Sequence, residues 1–212
     1  MISKKEVLAI SLAIIVMTLI LSFSKGILFT TKLIESLIVS IVVILFSVLC
    51  KKTIAKKIDT DMNIEIWGLQ RFWISRRTTL KKPAPMGLIL PLLVAFLSGG
   101  FVKFLTFMQF TLEAKVSKKA KRYGRHRFSG ITDWDNGLVV FYSMIGLVLL
   151  SLVTSFFDYN ILVQISHWSF FYAAYSLIPF GNLDGLKLFF ASRPLYFFSI
   201  ILMAIFGAII LL

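Results

Sequence analysis

Asp184 is the residue of this chain best placed to do chemistry. It lies near the end of Ser176-Leu177-Ile178-Pro179-Phe180-Gly181-Asn182-Leu183-Asp184-Gly185, where a long apolar run gives way to a proline, two glycines and one carboxylate. A carboxylate at such a place is costly, and by default it marks a functional site. A hydrolytic zinc centre would need three protein ligands and an open position for water. Two histidines four residues apart on a helix would supply two of them, because both rings then face one side. A glutamate beside the first would take the proton from the bound water. The chain has only His126 and His167, forty-one residues apart. His126 lies in a basic, solvated stretch. His167 stands beside Trp168 inside an apolar run, a place for a core histidine bonded to a neighbouring helix. A serine–histidine pair of His167 with Ser143 or Ser151 stays open, although nothing marks either serine. There is no Gly-x-Ser-x-Gly elbow and no Walker loop.

The elements that must position Asp184 are set by composition. Of the 212 residues, 58% are hydrophobic, and the mean hydropathy is +0.88. A soluble domain is about 45–50% apolar, so this chain is too apolar for water. The net charge of +13 raises nucleic-acid binding as an alternative. However, the basic residues sit between apolar runs rather than along one face, which is the positive-inside pattern of a membrane protein. The single cysteine, Cys50, permits no intrachain disulfide and reads as a small buried hydrophobe.

A bilayer core of about 30 Å takes about 20 apolar residues per helix. Five stretches qualify: about 7–23, 33–50, 136–157, 159–180 and 195–212. The first lacks a small-residue cleavage site and reads as a retained span. A sixth, about 86–110, contains Pro91 and Ser98-Gly99-Gly100 and is basic on both flanks. A re-entrant hairpin turning at Gly99-Gly100 keeps both flanks on one side. Its turn must then be covered by protein or by a wet cavity. Segments 51–85 and 111–135 are polar and cytoplasmic. Ile64, Ile66 and Leu69 alternate with polar residues there, which suits a short strand or amphipathic patch. Trp67, Phe72 and Trp73 are expected at the interface. Lys115–Arg127 carries seven Lys or Arg and no acid, as an inside loop against anionic headgroups would. The fold class is therefore an all-α polytopic membrane protein: five spans, a re-entrant hairpin and one integral membrane domain.

The loop around Asp184 resembles the Asn-x-x-Pro-x-x-x-Leu-Asp-Gly motif of the archaeal site-2 proteases, zinc metalloproteases that cut helices inside membranes. In that family the Asp is the third zinc ligand, and a His-Glu-x-x-His helix gives the first two. The family's Asn aligns with Ser176. The resemblance also touches 47–67, where Lys52, Ala55, Lys57 and Trp67 match. On that register Ser47 and Lys51 hold the two His positions and Val48 the Glu position. A second register, Leu112-Glu113-Ala114-Lys115-Val116, keeps the Glu but also lacks His. Neither leaves a zinc site, so no cofactor is expected, although zinc is the family's metal. The resemblance implies two readings of Asp184: a vestigial ligand that anchors the bend, or a live ligand in an atypical site. Lys51 would either pair with Asp184 across the helices, holding it ionised without metal, or snorkel to the headgroups. Ser176, Pro179, Gly181, Asn182 and Gly185 are where such a loop would meet an extended substrate.

The expected function is that of a pseudoprotease in the cell membrane, binding membrane helices or partner proteins. An active intramembrane protease with an atypical metal site is one alternative. A small transporter or channel is another, and it would need a polar stripe along several spans. Charge placement puts the N-terminus, 51–85, 111–135 and the 179–193 loop in the cytoplasm. Cysteines placed at Lys56 and Lys118 should therefore resist an impermeant label added from outside, and labelling there would overturn the topology.

Overall fold

The computed structural model describes residues 3–24, 27–28, 30–71, 79–114 and 131–211. His126, Phe72, Trp73 and all of Lys115–Arg127 lie outside them. Within them the chain forms α1 (Lys4–Ser22), β1 (Phe23–Ser24), β2 (Ile27–Leu28), α2 (Thr30–Lys57), β3 (Thr60–Ile66), β4 (Leu69–Arg71) and β5 (Thr79–Ala84). It continues with α3 (Met86–Leu97), β6 (Met108–Ala114), α4 (Asp133–Ser155), α5 (Asn160–Ser176), α6 (Asp184–Ala191) and α7 (Arg193–Leu211). Four of the helices, α1, α2, α4 and α7, are long and apolar enough to cross a membrane. The stretch expected to span at 159–180 is a shorter helix of 17 residues, about 26 Å at 1.5 Å per residue. Gln164, His167 and Trp168 dilute its apolar character, and α5 packs against α2 and α4.

The long helices are apolar on most sides, and small residues are frequent where they meet. Small residues take the contacts: Ala13, Ser40, Ser151, Ser169 and Ala173 are fully buried. Large ones divide: Met17, Ile44 and Met144 are fully buried, whereas Ile34, Phe96 and Ile209 are all more than 60% exposed. Small residues at helix contacts let backbones approach, as in membrane bundles. Between α4 and α5 the approach is sealed by a reciprocal pair: Ser151 Oγ donates to the Ser166 carbonyl at 2.7 Å, and Ser166 Oγ to that of Ser151 at 2.8 Å.

The bundle is tied at one end by Glu6. Ser3 and Glu6 form a capping box at the start of α1, which satisfies amides that a helix leaves open. The same carboxylate accepts from Lys52 Nζ of α2 at 3.0 Å and from the Ile64 amide of β3 at 3.2 Å. One side chain thus joins two helices and a strand edge.

The expected turn at Gly99-Gly100 is present. Both glycines have positive φ, 62° and 85°, a region open to glycine without steric penalty. The limbs differ: α3 leads in as a 12-residue helix, and the chain returns extended into β6. β6 pairs antiparallel with β3 from Thr60↔Ala114 to Ile66↔Met108. The main chain of Trp67 holds the two limbs together. Its amide donates to the Phe107 carbonyl at 3.0 Å, and its carbonyl accepts from the Gly87 amide at 2.9 Å. A Cβ on Gly87 would lie 2.1 Å from the Phe107 carbonyl oxygen. Trp67 was expected at the interface as an anchor. It is instead only 1% exposed, because both limbs close over it.

Candidate functional site

Two elements meet where α2 passes the start of α6. Ser47 and Lys51 stand one turn apart on α2 and are both buried, since residues four apart share a helix face. Asp184 opens α6 after the irregular stretch 177–183 and is 4% exposed. Its place in the first turn suits a carboxylate, because the amides there are unpaired and carry partial positive charge. Gly185 permits the fold-back that precedes it. A Cβ there would come 2.3 Å from the Leu177 carbonyl oxygen, which also accepts from Tyr196 Oη at 3.2 Å. Gly181 turns the loop with φ +59°, and a Cβ there would press on the Trp67 indole at 3.2 Å. Phe180 meets the same indole edge-on, its centroid 5.9 Å away.

The Lys51 ammonium forms a buried ion pair with Asp184 Oδ2. Of the two sequence readings of Lys51, the cross-helix pair is the one the structure contains. The Tyr172 ring of α5 and Ser47 stand close by, but Ser47 Oγ makes no hydrogen bond of normal geometry. Two ammonium groups stand over the Phe110 ring, Lys51 Nζ at 5.5 Å from its centroid and Lys187 Nζ at 3.8 Å. A cation over an aromatic face is attracted by the ring quadrupole. Lys187 Nζ also donates to the Phe110 carbonyl, on the edge of β6 away from β3. Two cations and one carboxylate therefore gather around one ring. Burial pushes the Lys187 ammonium down to about 8, while Asp184 pulls it up and Lys51 pushes it lower. Asp184 Oδ1 has no hydrogen-bond partner among the described residues. It borders a cavity of about 10 Å³ shared with Thr106, Tyr172 and Ser176, the size of a single water.

This donor set does not fit zinc. Ser47 offers a neutral hydroxyl, Lys51 offers a cation, and Asp184 gives one of its oxygens to that cation. A zinc centre takes deprotonated Cys, neutral His or carboxylate. Among the described residues no three His, Cys, Asp or Glu side chains gather in a way that could hold a metal.

Other candidate residues fall at or near the site. Ser176 ends α5 and turns its hydroxyl to the Ala173 carbonyl at 2.7 Å. Pro179, Gly181 and Asn182 are exposed, and Gly185 is buried beneath them. Glu113, from the second register, lies on β6, where it accepts from Asn63 Nδ2 at 2.8 Å. Ser143 donates to the Val140 carbonyl and Ser151 to that of Ser166, so each hydroxyl is bonded to backbone. The sequence reading did not single out Glu6, Phe110 or Lys187. Glu6 had a local signal, the Ser3-x-x-Glu6 capping box. Phe110 and Lys187 had none, because their partners lie 77 residues apart. Neither a family model, nor a curated protein, nor a solved structure matches the chain.

Removing one partner of a buried ion pair strands the other and costs about 3–5 kcal/mol, whereas replacing both with apolar groups is often neutral. Lys51→Met and Asp184→Leu should each lower the thermal midpoint in detergent, and the double variant should recover much of the loss. Additive losses would show that the two groups are independent. Lys187 gives a second expectation. Below about pH 8 both folded and unfolded chains hold its proton, so the penalty of burying the charge is fully present. Between about 8 and its ordinary 10.5 the folded chain releases the proton first, so stability rises. Wild type should therefore gain on Lys187→Met as pH rises through this window, and a constant gap between their unfolding midpoints would refute it.

Proposed function

We propose that this chain is a multi-pass protein of the cell membrane, its N-terminus cytoplasmic. On this reading it has the core of an intramembrane metalloprotease in which an internal ion pair replaces the metal. It does not cleave; it holds transmembrane or extended segments of partner membrane proteins. The observation that carries this reading is the Lys51–Asp184 pair. Two residues four apart on α2 and one carboxylate at the start of a Leu-Asp-Gly loop converge on one point. That is the arrangement the resemblance implies for three metal ligands, here with a charge that repels a dication.

The exposed Phe180, Gly181 and Asn182 support the partner-binding part. They form an exposed surface near the pair, with an aromatic side chain at its rim. The transporter alternative is favoured only by a few polar contacts along α2 and α5, such as Gln164 Nε2 donating to Glu35 at 3.1 Å. Ser40, Thr53, Ser166 and Ser176 on these helices bond to backbone carbonyls instead, Ser40 to Ser36 at 2.7 Å.

Restoring the ligands tests the geometry directly. Ser47→His, Val48→Glu and Lys51→His together would place two imidazoles beside Asp184. The purified triple variant should take up one zinc per chain and lose it on adding Asp184→Ala, whereas the wild type should take up none. A folded triple variant that binds no zinc would remove the structural basis of the reading. One zinc per wild-type chain, with chelator-sensitive cleavage of a helical substrate, would make the protein an enzyme instead.

A further inference from the structure

A second site lies apart from Asp184, between α1 and α3. Leu19 and Phe23 form one wall, and Ile89, Leu93 and Phe96 the other, around a groove of about 530 Å³ with Ala95 at its base. Every lining side chain is apolar, so the groove offers no hydrogen-bond partner to a peptide group. Helices in membranes also seat against small residues, whereas these walls are Leu, Ile and Phe, with Ala95 the one small residue. A thin, flexible hydrocarbon fits such a slot better.

A cation stands near the end of α1 whose Phe23 lines the groove. Lys103, just past the Gly99-Gly100 turn, reaches the end of α1, where its Nζ donates to the Leu21 carbonyl at 3.3 Å. It also lies 4.6 Å from the centroid of the Trp168 ring. An ammonium has three N–H donors, and the Leu21 carbonyl uses one. Lys32 of α2 is near enough for its charge to act on Lys103. Positive charge at the mouth of an interhelical pocket is how lipid phosphates are held.

We propose that this groove is a lipid site, which seats an acyl chain of one anionic phospholipid with its phosphate at Lys103. The lipid wedges the α3 limb against α1, a contact the protein makes only loosely through side chains that stay largely exposed, such as Phe96. The site stands whether or not the Asp184 region binds partners.

The full chain in detergent, given phosphatidylglycerol or phosphatidylcholine with identical acyl chains, can be read by native mass spectrometry. One lipid per chain should survive activation that strips the rest, with phosphatidylglycerol favoured about five-fold, the worth of one surface cation. Lys103→Gln should erase that preference yet still retain a lipid. Leu93→Trp, which fills the groove from a half-exposed position, should lose retention of both lipids. Ile89→Trp replaces it if Leu93→Trp fails to fold. Equal retention of the two lipids by wild type, unchanged retention in the filled grooves, or displacement by an added apolar helical peptide would each overturn the assignment.

Discussion

The buried ammonium–carboxylate contact between Lys51 and Asp184 is the constraint on which the rest of the arrangement depends. Burying either charge alone is expensive, and the pair is tolerable only when geometry and surroundings are right. That requirement fixes which turn of α2 faces the start of α6. It also explains the shape of the loop between α5 and α6. The chain needs a fold-back at Leu177–Ile178 to present Asp184 to α2, and only glycine at 185 leaves room for it. Phe110 and Lys187 then close the remaining side with a ring and a second cation. The surroundings are electrostatically odd, with net positive charge around one carboxylate. A metal centre would invert that balance, because its ligands must carry lone pairs to a dication.

The other organising device is the two-stranded ribbon of β3 and β6. A ribbon of two strands is marginal by itself and has two open edges. Here each edge is met by an ionised side chain. Glu6 accepts from Ile64 on the β3 side, and Lys187 donates to Phe110 on the β6 side. Ile64 and Phe110 are register partners, so these contacts address the two outer faces of one pair. The ribbon thus connects the capped start of α1 to the start of α6, and through Lys52 and Lys51 both ends reach neighbouring residues of α2.

Much of the helical skeleton was legible in the sequence, for simple physical reasons. Four apolar runs became the four long helices, because length and hydropathy alone decide that. Gly99 and Gly100 announced the reversal, because few other residues accept positive φ. The pairing of Lys51 with Asp184 was one of two open readings, implied by the resemblance that puts both residues at ligand positions. What the sequence hid is non-local. β3 and β6 lie more than forty residues apart, and the alternation in each is too weak to name a partner. Trp67 reads as an interfacial aromatic until Phe107 and Gly87 close over its backbone. The 159–180 run reads as a span by length, yet its helix stops at Ser176, because the loop must turn back before Pro179.

The separation of the two charges along the chain has a bearing on synthesis. Lys51 and Asp184 are 133 residues apart, and a ribosome adding about 5–20 residues per second needs roughly 7–27 s to cover that interval. For all of it Lys51 is without the carboxylate that it meets in the folded chain. Closing the pair is therefore open to the chain only once residue 184 has been made, which places this contact late in the order of assembly although α2 itself is made early.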